Sequence, residues 1–109
     1  MKIEWSEMAS ESLYDVFDYT DCYFGESQIR RIDAQIKVAE RQLMTFPYSG
    51  VAIQDERGLK MKLYALTITR ELRMFYRVVD DETVWIEAIW DTRRNLKELY
   101  DKIIDDKEI

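Results

Sequence analysis

Four arginines carry the strongest chemical signal in this sequence. Arg73 and Arg77 sit within Leu72–Val79, a run rich in aromatic and β-branched residues that reads as a strand. Strand side chains alternate between faces, so residues at this spacing project from the same side. Arg93 and Arg94 follow a second run of the same kind, Val84–Trp90, where the chain leaves the sheet. Between the two runs, Asp80, Asp81, Glu82 and Thr83 mark a tight turn, because carboxylates are not buried cheaply. Guanidinium groups gathered on one sheet surface repel one another unless something anionic compensates. Glu87, Asp91, a partner protein or a phosphate would serve.

Register decides the neighbours of these arginines. An even loop sets Arg73 and Arg77 beside Trp90 and Ile86, whereas an odd loop sets them beside Glu87 and Trp85. A slip of one residue exchanges the two faces. Burying arginines behind helices is costly, which favours the charged pairing.

Other chemistries are excluded by what is missing. The 109 residues include no histidine, which removes Ser-His-Asp catalysis, His-ligated zinc and imidazole acid–base chemistry. Cys22 is the only cysteine, so no internal disulfide or thiolate cluster forms, and without a histidine base it reads as a small residue filling part of a helix. The acids fall mostly on helices and turns without a ligand pattern, so neither metal nor cofactor is expected. Any catalysis is left to Arg, Lys, Tyr or carboxylates. The net charge of −6 is unevenly spread. Residues 1–27 hold one lysine against seven acids, while 57–77 hold Arg57, Lys60, Lys62, Arg70, Arg73 and Arg77 against Glu71 alone. Such a chain is a poor non-specific polyanion binder, yet its middle third has the charge for a local anion site. The length suits one domain over 1–109. No run is long enough to span a membrane, and the start MKIEWSEMASES has no signal-peptide pattern, so a cytoplasmic protein is expected.

Local patterns supply the elements that must position the arginines. Lys2–Trp5 alternates as a short strand, and Ser6 with Glu7 behind it caps a helix. Ala9, Leu13, Val16, Phe17, Thr20 and Phe24 lie broadly on one side of that helix, which Gly25 ends in a left-handed conformation. A second helix restarts at Glu26 or Ser27. Its apolar stripe is Ile29, Ile32, Ile36, Ala39, Leu43 and Phe46, and Pro47 stops it. Residues 51–59 read as a loop around Gly58, and Lys60–Thr69 as a strand. After the hairpin, Asn95 caps a last helix with Leu96, Leu99 and Ile103 as its stripe, and residues 105–109 should fray. The order β-αα-βββ-α describes an α+β domain, a helical hairpin packed on one face of a small, mostly antiparallel sheet.

In this order and spacing, the chain resembles toxins of the RelE/ParE superfamily from bacterial type II toxin–antitoxin modules. The resemblance rests on Trp5-Ser6 and Ala9, Leu13 and Tyr19, Phe46-Pro47-x-x-Gly50, Arg73-x-x-Tyr76-Arg77-Val78 and Ile89-Trp90-Asp91-Thr92-Arg93-Arg94. It implies the fold just derived, a cognate antitoxin partner in a toxin–antitoxin hetero-oligomer, and inhibition of translation by mRNA cleavage as in the RelE branch, with the ParE branch's action on gyrase as the alternative. Members of the RelE branch cleave mRNA on the ribosome without a metal; ParE toxins act on DNA gyrase without catalysis of their own. A third expectation is a decayed member that only binds its antitoxin. For the nuclease branch the resemblance implies catalytic roles for Arg73 and Arg94 on the phosphate, and for Tyr100 as a stacking residue. Lys60, Lys62, Arg77 and Arg93 would then bind the substrate. A guanidinium fork matches phosphate geometry, and an aromatic ring stacks on a base.

Overall fold

The structure, a computed structural model, describes residues 1–107, and their side chains through Ile104. Its elements are β1 (Lys2–Trp5), α1 (Glu7–Tyr23), α2 (Glu26–Thr45), β2 (Val51–Ala52), α3 (Glu56–Met61), β3 (Tyr64–Thr67), β4 (Leu72–Asp80), β5 (Thr83–Asp91) and α4 (Leu96–Lys107). One five-stranded sheet has the order β1-β5-β4-β3-β2, antiparallel except where β1 runs parallel to β5.

The helix signals behave as local chemistry dictates. Ser6 caps α1 by accepting the Ala9 N–H at 2.9 Å. Gly25 takes φ 83° with an extended ψ of 178°, so it turns the chain into α2 without adopting the left-handed helical conformation expected of it. Ile32, Ile36, Ala39 and Leu43 are buried on α2, whereas Phe46, placed on the same stripe, is its exposed C-cap. Asn95 caps the last helix by accepting the Lys97 N–H at 2.9 Å. Residues 105–107 continue α4 instead of fraying, and residues 108–109 lie outside the described ones.

Two expectations need correction. Residues 51–59 are not one loop: they hold β2 and most of α3, which Asp55 caps through the Gly58 N–H at 2.9 Å. The strand expected over Lys60–Thr69 begins only at Tyr64, because Lys60 belongs to α3 and Lys62 is its C-cap at φ 55°. Elements this short carry too few periodic positions to announce themselves, and neighbours supply their hydrogen bonds. Gly50, just before β2, shows such a neighbour. Its N–H donates to the Tyr76 hydroxyl at 2.9 Å, and an added Cβ would meet that oxygen at 2.6 Å.

The sheet is covered on both faces. Ala9, Ile32, Ile36, Ala39 and Leu43 of the helical hairpin pack on Leu72, Met74, Tyr76, Val84, Ile86 and Ile89. Across the sheet, Leu99, Tyr100 and Ile103 of α4 pack on Phe75, Ala88 and Trp90. The helical hairpin keeps to one face as expected, and α4 covers the other. Tyr100 beside Leu99 and Ile103 gives α4 a stripe broad enough to close a second core.

Both registers of the β4–β5 hairpin occur: the odd one holds only from Tyr76 to Val78, between irregularities at Glu87 and at Val79, and Asp80 opposite Thr83 closes the hairpin in the even one. Leu72–Phe75 pair with Asp91–Ala88, and Tyr76–Val78 pair with Ile86–Val84, leaving Glu87 as an extra residue between them. This bulge shifts the ladder by one position in mid-strand. Arg73 therefore stands opposite Trp90, as an even loop requires, while Arg77 stands opposite Trp85, as an odd loop requires.

Candidate functional site

At the Glu87 end of the hairpin, Arg77 Nε donates to Glu87 Oε1 at 3.0 Å. The Glu87 side chain is almost fully buried, 2 % exposed against 27 % for Arg77, so this is the charged pairing that burial favours.

At the other end, Trp90 is the meeting point. Arg73 faces it across the ladder, and the Arg94 guanidinium lies over the indole, 4.1 Å from the ring centroid. The Lys102 ammonium of α4 is 5.4 Å from the same ring. A cation over an indole is worth about 0.5–1 kcal/mol where water still reaches it. Arg94 also pairs with Glu98 at 3.3 Å, one helical turn further on. Arg73 is exposed and has no ion-pair partner among the described residues. Trp90 is 2 % exposed, and its buried Nε1–H has no hydrogen-bond partner among the described residues.

The remaining expected site residues do not join them. Arg93 folds back on Asp91 in a two-pronged pair, at 3.0 and 2.6 Å. That hydrogen bond holds Asp91 below its ordinary pKa and raises that of Arg93. Lys60 reaches Glu56 on its own helix at 3.5 Å, and Lys62 serves as a helix cap. Tyr100 is 2 % exposed and donates to Asp55 Oδ2 at 2.5 Å, with Arg57 over its ring at 5.3 Å and paired to Asp101. Its ring is thus embedded in the second core. Burial pushes the Tyr100 pKa up, and the same hydrogen bond pulls that of Asp55 down.

A groove of about 630 Å³ opens beside the Trp90 end, between α1, the end of β5 and α4. β5 extends past β1, whose last pairing is Trp5 with Ile86, and α1 closes the freed edge. Ser6 donates its hydroxyl to the Glu87 carbonyl at 3.2 Å, and Ser12 Oγ accepts the Ile89 N–H at 3.0 Å. Val16, Leu72, Ile89 and Trp90 line the apolar part; Glu7, Glu11, Asp15 and Asp91 add carboxylates, and Arg94 and Lys102 add cations. Sequence reasoning missed this groove, the bridging role of Ser12 and Trp90 as a platform. The Trp90-x-x-x-Arg94 spacing was a readable hint of the last. Among the described residues, no cluster of His, Cys, Asp or Glu has the arrangement of a metal site, and no helix is long and apolar enough to cross a membrane.

The fold is that of type II toxins. The chain superposes on a protein of the chromosomal ParDE toxin–antitoxin system from P. aeruginosa with a TM-score of 0.65 at 17% identity, covering 84% of this chain and 95% of that one. Similar matches are a YoeB/ParE toxin from Agrobacterium tumefaciens (TM-score 0.55, 16% identity, 84% and 98% covered) and a chain of the heterotetrameric YoeB–YefM toxin–antitoxin complex from Staphylococcus aureus (TM-score 0.54, 16% identity, 83% and 94% covered). None of the curated proteins compared matches the sequence. The family model for the ParE toxin of the type II toxin–antitoxin system parDE matches residues 3–96, and the chain belongs to that family.

Proposed function

We propose that this ParE-family toxin acts by docking on a protein target, DNA gyrase as the ParE resemblance implies, and that a cognate antitoxin neutralises it. One observation carries this reading: of the groups named for phosphate chemistry only Arg73 and Arg94 come together, and the others are engaged in the fold. Arg77, Arg93 and Lys60 are each paired with a carboxylate, and Tyr100 is embedded in the core. The groove beside Arg94 carries Glu7, Glu11, Asp15 and Asp91, whose charge opposes an incoming RNA backbone. The mRNA-cleaving alternative keeps one observation in its favour, the unpaired Arg73 standing with Arg94 at the same indole.

Supercoiling by gyrase and cleavage of mRNA, measured side by side with the purified toxin, separate the two. Inhibition of supercoiling without cleavage is the expected result. Cleavage that drops by about two orders of magnitude or more in Arg73→Ala would overturn it, since that is the loss typical of removing a preorganised charge-stabilising donor. Expression of the toxin alone should arrest bacterial growth, and co-expression of the neighbouring open reading frame should restore it. Normal growth with soluble toxin would reduce the protein to an antitoxin binder.

A further inference from the structure

Two elements far apart in sequence, α3 and α4, are tied to each other at the rim of the second core. α3 has six residues, far fewer than an isolated helix needs, and only Gly58 among them is buried. Asp55 serves both elements. One of its carboxylate oxygens accepts the Gly58 N–H at 2.9 Å and caps α3, and the other accepts the Tyr100 hydroxyl of α4 at 2.5 Å. Arg57 of α3 lies over the Tyr100 ring and pairs with Asp101 at 2.6 Å. α3 thus holds α4 through two adjacent residues. Gly58 seats α3 directly on Ile53, where an added Cβ would clash. Ile53 and Met61 in turn pack on the second core, to which α4 contributes Leu99, Tyr100 and Ile103. Turns bound both elements: Lys62 closes α3 at φ 55°, and residues 92–95 separate α4 from β5.

We infer that α3 and α4 form one flap over the second core, which opens and closes as a unit at a smaller free energy than unfolding of the whole chain. Without α4, Asp55 and Arg57 lose their partners, and a six-residue helix with a cap alone does not persist. Without α3, the Tyr100 hydroxyl loses its acceptor and Asp101 its cation. The dependence is reciprocal, as any free-energy coupling between two sites must be. Elements outside the sheet ladder that rest on few buried apolar residues open below the global free energy. Opening takes the cover of α4 from Phe75, Ala88 and Trp90. It also admits water to the Trp90 Nε1–H, which has no hydrogen-bond partner among the described residues while the flap is closed. A buried donor left unsatisfied disfavours the closed state, so the flap is poised to open at the indole where Arg73 and Arg94 meet.

Native-state hydrogen exchange of the full chain, read amide by amide over low urea concentrations, tests this. In the wild type, the α3 amides of Leu59 and Lys62, with Leu63 just beyond, should share one opening with the amides of α4. Its free energy and its urea dependence should both be smaller than those of β4 and β5. Asp55→Ser keeps a hydroxyl that can cap Gly58 but offers no second oxygen to Tyr100. Exchange in α4 should then quicken about tenfold although α4 itself is unaltered. Tyr100→Phe should quicken α3 by a similar factor from the other side. If Asp55→Ser does not fold, Asp101→Asn, which weakens only the exposed pair with Arg57, should quicken α3 in the same direction by a smaller factor. Wild-type α3 and α4 that open with different free energies would overturn the inference, as would both opening only together with β4 and β5. So would α4 exchange that stays within about twofold in Asp55→Ser, or α3 exchange that stays so in Tyr100→Phe.

Discussion

Arg73 and Arg77 look equivalent on one strand, yet the two ends of the β4–β5 hairpin use them oppositely. At the Glu87 end, a bulge brings a buried carboxylate to Arg77, and the cation is spent on structure. At the Trp90 end the ladder is regular, the opposing residue is an indole, and Arg73 has no carboxylate partner among the described residues. One extra residue in β5 thus separates an arginine that holds the sheet from one that remains available. Identity and spacing assign neither role; the cross-strand neighbour does.

Removal of Arg77 should produce the largest effect. Arg77→Ala leaves the Glu87 carboxylate without this partner in the interior and is expected to destabilise by about 3 kcal/mol, the low end for a broken buried pair because Arg77 reaches solvent. Urea unfolding measures it. Arg77→Met combined with Glu87→Leu should recover most of that loss, since a well-packed apolar pair replaces a buried ion pair at little net cost. If Arg77→Ala proves as mild as Arg73→Ala, the distinction between the two ends fails.

Tyr100→Phe comes next. It deletes the hydroxyl that donates to Asp55 and should cost about 1.5 kcal/mol, the low end for a hydrogen bond to a charged group because Asp55 reaches solvent. Its signature is in acid. Asp55 and Asp91 have depressed pKa values in the folded state, Asp55 chiefly through Tyr100 and Asp91 chiefly through Arg93. Their contributions are complete above the unfolded Asp value of about 3.9 and are lost as pH falls through the lower folded values. Thermal midpoints between roughly pH 5 and 2 should therefore fall less steeply in Tyr100→Phe than in the wild type. An unchanged slope would show that the Asp55–Tyr100 bond contributes nothing in solution.

Arg73→Ala should have the smallest effect on stability, within about 0.5 kcal/mol, as for surface substitutions without a structural role. A larger loss in urea unfolding would mean that Arg73 is tied down after all and that both ends of the hairpin are structural.

Much of this fold was legible because its signals are local. Ser6 and Asn95 announce helix starts through a backbone N–H two or three residues away, Ile32 to Leu43 announce a buried face by spacing alone, and Pro47 stops a helix wherever it stands. The candidate site was half legible. Arg73 and Arg94 were found by type and position, and the structure gathers both at Trp90. Lys60, Lys62 and Tyr100 were placed with them by resemblance; a six-residue helix takes the lysines elsewhere, and Tyr100 shares the core of Trp90 but is buried there, with its hydroxyl on Asp55.

The sequence by itself determined the helices of the hairpin, the two long strands, the acidic turn and the absence of histidine chemistry. Each follows from a residue's own properties or from neighbours within about one helical turn or one turn of chain. Only the tertiary structure decided the bulge at Glu87, the face that α4 covers, the fate of each arginine and the groove along α1. These depend on which segment far away in sequence lies opposite. A shift of one residue in that pairing reverses every side chain beyond it, while leaving local propensity almost unchanged.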